Sequence, residues 1–217
     1  MLSYTAEVLQ SLLNYYNLAL WPGQLLAVAL TLMALLLVAF PRRWGGRAIA
    51  VVLAAGWLWV GWVYYVERLG RIDFSAPLYG AAFLLQGLLL LWTGVLRGAL
   101  SWTVRLDLYG SVALLLLLIA VFLLPASVWF KDEGWTQLRL VGLMPLPTVL
   151  FTVGMLLLLT AGKTPLHLTL IPLLWSLAAS ATAWTLAQTA ETALAALCVL
   201  ASVLLIWRGR VARPQAA

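Results

Sequence analysis

Seven mostly apolar stretches follow one another along the chain, at 24–40, 48–65, 75–92, 106–124, 147–161, 166–186 and 190–207. A hydrocarbon core of about 30 Å takes about 20 apolar residues as helix, with a working range of about 17–25. The fifth stretch is short and borrows from the apolar approach at 138–144. Leu and Ala run through all seven without the period-two alternation of a membrane barrel, so helices are the form that satisfies the backbone in lipid. The pattern predicts an all-α membrane protein, a seven-transmembrane helix bundle forming one integral membrane domain over residues 1–217. No linker, low-complexity segment or convincing internal repeat interrupts it, which weakens an inverted-repeat transporter architecture.

Ahead of the first stretch the periodicity changes. Glu7, Gln10, Asn14 and Asn17 recur at spacings of 3, 4 and 3, and Leu9, Leu12, Leu13 and Tyr16 lie opposite. This predicts a short N-terminal amphipathic helix lying on the outer surface and ending before Trp21-Pro22. Pro22 then falls in the first turn of the first span, and Pro77 in the first turn of the third, which Asp73 or Ser75 caps. The Leu-rich fourth span, with nothing polar to bury, is expected to face lipid. Residues 1–20 carry no Lys or Arg and no signal-peptide core, so insertion is expected to rely on the first true span.

Composition sharpens the class. Hydrophobic residues make up 65% and charged residues 9%, against about 25% charged in a soluble domain. Among the 13 basic residues, alternate loops place Arg42, Arg43, Arg47, Arg97, Arg105, Lys163, Arg208, Arg210 and Arg213 on one side, leaving Arg68, Arg71, Lys131 and Arg139 on the other. The positive-inside rule makes the first side cytoplasmic, with the N-terminus outside and the C-terminus inside. The net charge of +6 therefore belongs to topology, and no nucleic-acid partner is expected. Trp21, Trp129, Trp135 and Trp184 fall near outer ends and Trp44, Trp92, Trp102 and Trp207 near inner ends, as an aromatic belt requires.

Four strings carry a resemblance: YNLALWPGQ at 16–24, IDFSAPLYGAAFLLQ at 72–86, PLPTVLFTVG at 145–154 and IPLLWS at 171–176. Their order and content resemble a bacterial family of polytopic membrane proteins of unknown function, domain-of-unknown-function family 6064, from about residue 5 to 201. The chain departs from that pattern at Asp73, where Asn is usual, and at Leu146, where Cys is common between the prolines. The resemblance implies an integral protein of the bacterial inner membrane and supplies no activity.

Polar groups at membrane depth are costly unless paired, which marks them as functional candidates. Gln86 lies mid-span on a face with Tyr79 and Phe83, and either reads a substrate or acts as interhelical glue. Trp175, also mid-span, needs a partner for its indole N–H, and Ser176 adjoins it in a stripe of small residues suited to close packing. Thr148 and Thr152 share a face at the broken start of the fifth span, where freed backbone groups sometimes build a site. Tyr64 and Glu67 sit at the short outer turn between the second and third spans. A candidate cavity thus comprises Gln86, Trp175, Ser176, Thr152, Thr148, Tyr64 and Glu67, with Gln86 and Trp175 expected near one another.

Other chemistries fall away. One histidine, His167, supplies no metal site, no Lys lies within a span to hold retinal, and a lone Cys198 makes no disulfide pair. No catalytic residue, metal or cofactor is expected. Two functions remain: a protein that binds or passes a small solute or ion through an intramembrane cavity, or a non-catalytic membrane sensor or partner subunit. An intramembrane enzyme acting on lipids is a distant third. The lipid bilayer is the expected partner; a protein partner or homo-oligomer is left open by the sequence. A continuous polar cavity would favour the first function and a dry, Leu-filled centre the second.

Overall fold

The computed structural model of the protein describes residues 5–130, 134–160 and 166–211. Lys131, Asp132, Glu133, Lys163, Thr164, Pro165, Arg213 and the side chain of Trp129 lie outside that description. Within it the helices are α1 (Ala6–Leu20), α2 (Gly23–Ala39), α3 (Gly45–Arg71), α4 (Ala76–Leu96), α5 (Leu108–Val128), α6 (Pro145–Leu157), α7 (Leu166–Thr185) and α8 (Thr189–Val211). Stretches of α3 (Val60–Arg68), α4 (Leu91–Leu96) and α5 (Ile119–Leu123) are wound as π-helix.

Five of these helices, α3, α4, α5, α7 and α8, are long and apolar enough to cross a membrane, and six spans result if the bent pair α1–α2 counts as one. The expectation of seven exceeds that number. The fifth predicted span is the discrepancy. At 1.5 Å per residue the 13 residues of α6 cover about 20 Å, short of the hydrocarbon core. The approach at 138–144 does not lengthen it, because that segment turns at Gly142 (φ +82°) and enters the helix only at Pro145.

The enclosure of α6 explains how so short a helix is tolerated. Every residue from Pro147 to Leu157 is buried. The carbonyls at its end, which a helix leaves without intrahelical partners, are met by protein groups. Trp102 Nε1 donates to Met155 O (2.9 Å), and Arg208 Nη1 and Nη2 donate to Leu157 O and Leu159 O (2.8 and 2.6 Å). The Thr103 amide donates to Leu158 O (3.0 Å), where the chain from α4 to α5 runs antiparallel to residues 158–160.

Close backbone approach builds the rest. On α4, Gly80, Gly87 and Gly94 recur every seven residues. An added Cβ would lie 2.8 Å from Gly61 O, 2.7 Å from Leu58 Cγ and 2.2 Å from Ala50 Cβ respectively, so α3 and α4 meet where side chains are small. The α5–α6 contact repeats the device, with a Cβ on Gly154 falling 3.1 Å from Leu117 Cγ. The Leu-rich fourth span is therefore two-sided and not simply lipid-facing. Leu114, Leu115 and Leu118 are exposed, whereas Ala113, Leu116, Leu117 and Ala120 are buried. Asp107 caps its start, accepting from the Gly110 amide (2.9 Å). Hydrogen bonds from Arg105, and then that amide, hold the Asp107 carboxyl below the usual carboxylate range.

α1 is a helix set at 87° to α2. Leu13 and Tyr16 are buried and Gln10 is exposed, but its polar stripe does not simply face water. Asn17 Nδ2 donates to Thr136 O and Leu138 O (2.7 and 3.0 Å), Gln137 Nε2 donates to Gln10 O and Asn14 Oδ1 (3.0 and 2.8 Å), and Thr136 Oγ1 donates to Asn14 Oδ1 (2.6 Å). The stripe is an interface with the segment preceding α6.

Candidate functional site

A cavity of about 170 Å³ opens at the end of the bundle opposite Arg42, Arg43 and Arg47, between α3, α4, α6, α7 and α8. Its inner wall is aromatic. An α-helix turns about 100° per residue, so adjacent side chains diverge. Tyr64 and Tyr65 are nevertheless both buried and both line the cavity, and they lie in the π-helical stretch of α3, whose i→i+5 bonding widens the turn. Their rings meet edge-on at 5.2 Å. Across from them Trp175 Nε1 on α7 donates to Tyr65 Oη (2.6 Å), which supplies the indole with its partner. Tyr79 of α4 stands 5.8 Å from Tyr65, ring to ring.

Below this wall the bundle is closed. Phe83 packs against Tyr65 (5.1 Å), Trp175 (5.8 Å) and Trp57 (4.3 Å), and both Phe83 and Trp57 are fully buried. The α7 wall is made of small residues, Ala178, Ala179, Thr182 and Ala183, so the cavity is the volume those side chains leave empty.

The mouth is polar. Asp73, Ser75, Gln188 and Glu191 line it, and Leu9 of α1 covers one side. The two carboxylates differ. Glu191 accepts from Arg139 in an ion pair. Asp73, only 7% exposed, uses Oδ1 to accept from the amide and hydroxyl of Ser75 (2.9 and 2.7 Å). Its Oδ2 has no hydrogen bond, and the residue has no ion pair, among the described residues.

Of the seven candidates, Tyr64 and Trp175 line this cavity. Thr148 and Thr152 line a different one, an apolar space of about 340 Å³ between α2, α3 and α6. Their hydroxyls are engaged there. Thr148 Oγ1 donates to Met144 O (2.6 Å) and accepts from the Gly142 amide (2.8 Å), while Thr152 Oγ1 donates to Thr148 O and accepts from Trp57 Nε1 (both 2.8 Å). Glu67 accepts from Trp62 Nε1 (2.9 Å) on the exposed surface. Gln86 and Ser176 are fully buried and line neither space.

Gln86 has a structural partner. Pro172 lies inside α7 and has no N–H, so the carbonyl four residues before it, Leu168 O, loses its helical donor. Gln86 Nε2 donates to that carbonyl (2.9 Å). Ser176 Oγ in turn donates to Pro172 O (2.7 Å). Gln86 and Trp175 thus share the α4–α7 interface at different levels, and Phe83 is the residue of α4 that meets the Trp175 ring. A single cavity joining all seven residues does not form.

Tyr65, Tyr79 and Asp73 line the cavity although the seven residues expected from the sequence did not include them. The Tyr64-Tyr65 pair beside a turn that also carries Asp73 was the available signal.

A family model described as "Family of unknown function (DUF6064)" matches residues 6–216. No curated protein and no solved structure matches the chain.

Proposed function

The chain belongs to the Family of unknown function (DUF6064), a membership without an activity, and from the geometry of its cavity we propose a membrane-embedded binding protein for a small organic cation. The observation that carries this reading is Asp73. A carboxylate taken out of water is costly unless paired and hydrogen-bonded. Asp73 is largely buried, its second oxygen is not sealed in protein and has no hydrogen bond among the described residues, and it lines a cavity whose other wall is Tyr64, Tyr65, Tyr79 and Trp175. An ammonium group completes such a site twice over, as the missing partner of the carboxylate and as a cation over aromatic faces. The second contribution is worth about 0.5–2 kcal/mol per contact.

Binding is favoured over passage because Phe83 and Trp57 close the floor. The position of α1 adds a sensory element. Leu9 borders the mouth, and the same helix is bonded to residues 136–138, so an occupant displacing Leu9 alters the contact of α1 with the loop. By the charge rule this mouth faces outward and the arginine-rich end faces the cytoplasm.

The test is thermal unfolding of the purified full-length protein with tetramethylammonium chloride, against sodium chloride at equal concentration. Stabilisation by the organic cation that disappears in Asp73→Asn supports the reading. No stabilisation, or an equal shift in Asp73→Asn, rejects it.

A further inference from the structure

The opposite end of the bundle carries a separate cavity of about 360 Å³, between the end of α2, the start of α3 and the connection from α4 to α5. Arg42, Arg43 and Arg47 line it together with Gly46, Ser101 and Trp102, and none of its lining residues is acidic. A positive-inside bias accounts for arginines at this end but not for their convergence on one concavity. Other arginines here are already engaged. Arg105 is paired with Asp107, Arg208 is committed to the carbonyls of Leu157 and Leu159, and Arg97 stacks over the Trp92 ring at 5.7 Å. Arg42, Arg43 and Arg47 have no ion pair among the described residues.

The backbone is shaped to form the concavity. Gly98 adopts φ +59°, and a Cβ there would lie 3.5 Å from Arg47 Nη2, so a left-handed turn folds the connection back over that guanidinium. Leu100 O then approaches the start of α3 so closely that a Cβ on Gly46 would be 2.5 Å from it. α3 itself begins without a side-chain cap. The Gly45 and Ala48 amides find backbone carbonyls (2.9 and 3.1 Å), whereas those of Gly46 and Arg47 have no partner among the described residues.

We propose that this cavity is a binding site for a phosphate group, carried by an anionic phospholipid or by a soluble phosphate ester. Guanidinium is permanently charged and its fork matches phosphate oxygens in pairs. Three such groups, exposed and without a counter-charge among the described residues, stand beside two amides at a helix start with no partner among the described residues, an arrangement that favours an anion. The site is independent of the cation cavity at the other end and stands or falls separately.

The experiment is native mass spectrometry and thermal unfolding of the full-length protein with phosphatidylglycerol, phosphatidylcholine or inorganic phosphate at matched ionic strength. Phosphatidylglycerol is expected to bind and stabilise where phosphatidylcholine does not. Arg47→Gln and Arg42→Gln each lower its apparent affinity by about tenfold, or about 1.4 kcal/mol, and Arg210→Gln leaves it unchanged. Arg47→Lys, which keeps the charge and loses the fork, falls between and serves if the Gln variants do not fold. An equal, arginine-dependent response to inorganic phosphate assigns the site to a soluble phosphate. A response confined to the lipid assigns it to a headgroup. The proposal is overturned if neither probe stabilises beyond phosphatidylcholine, or if Arg210→Gln weakens binding as much as Arg47→Gln.

Discussion

Replacing Gln86 by Leu isolates the role of a buried amide. The substitution keeps a side chain of similar size and removes the donor that meets Leu168 O. That carbonyl then has no donor, because residue 172 is proline. An orphaned buried acceptor costs about 1–3 kcal/mol, whereas hydrogen bonds between membrane helices average about 0.6 and reach about 1.7 kcal/mol. Gln86 Oε1 is itself buried without a partner, and its removal offsets part of the loss. A destabilisation of about 1 kcal/mol is expected, within these ranges. The decisive variant is Pro172→Ala, which restores an N–H to α7 opposite Leu168 O. In that background Gln86→Leu should cost less, giving a coupling of about 0.5 kcal/mol or more in a double-mutant cycle. Unfolding equilibria in mixed micelles titrated with dodecyl sulfate provide the free energies. Additivity within about 0.3–0.5 kcal/mol would refute the link between the amide and the proline. The response to tetramethylammonium should survive Gln86→Leu, since Gln86 does not line the cation cavity.

Two further outcomes are expected. Gly94→Ala places a Cβ 2.2 Å from that of Ala50 and should destabilise by about 1–3 kcal/mol through overpacking, while Gly23→Ala, with nothing within 4 Å, should unfold at nearly the parent midpoint in the same titration. Asp107 is bound in its charged form by Arg105 and the Gly110 amide, so its folded pKa lies below its unfolded one. The stability it contributes is present above the unfolded value and is lost as pH falls through the folded value. Unfolding midpoints measured across the acid range should show a shallower decline for Asp107→Asn.

The apolar stretches located the long helices because burial or lipid exposure on nearly every face leaves an unbroken signal. The same signal was least informative at α6, a 13-residue apolar helix enclosed by other helices and shorter than the hydrocarbon core. The stripe on α1 was visible as a periodicity, but a periodicity does not name what it faces. Asn14 and Asn17 meet residues 136–138, more than a hundred positions away. Gln86 was conspicuous as a polar residue in a span. Its partner was inferable only by noticing that Pro172 frees one carbonyl and that α4 and α7 are neighbours, and adjacency is a property of the fold. Tyr65 escaped because α-helical winding turns it away from Tyr64, and nothing in the local sequence announces a π-helical stretch. Topology alone accounts for the basic residues at 42–47 as a sequence feature, whereas the turn at Gly98 that brings the chain over Arg47 belongs to the fold.

The two carbonyls held by Arg208 set an order on assembly. α6 is synthesised before α8, yet two of the donors that finish its end come from the last turn of that later helix. A nascent chain that has not yet made α8 therefore carries a thirteen-residue helix shorter than the hydrocarbon core, with two carbonyls at its tip still lacking these donors. Before Arg208 is made, the donors to the end of α6 from outside it, among the described residues, are those of Trp102 and Thr103. A chain shortened before Arg208 loses two of the donors that close the end of a helix lying entirely upstream of the cut.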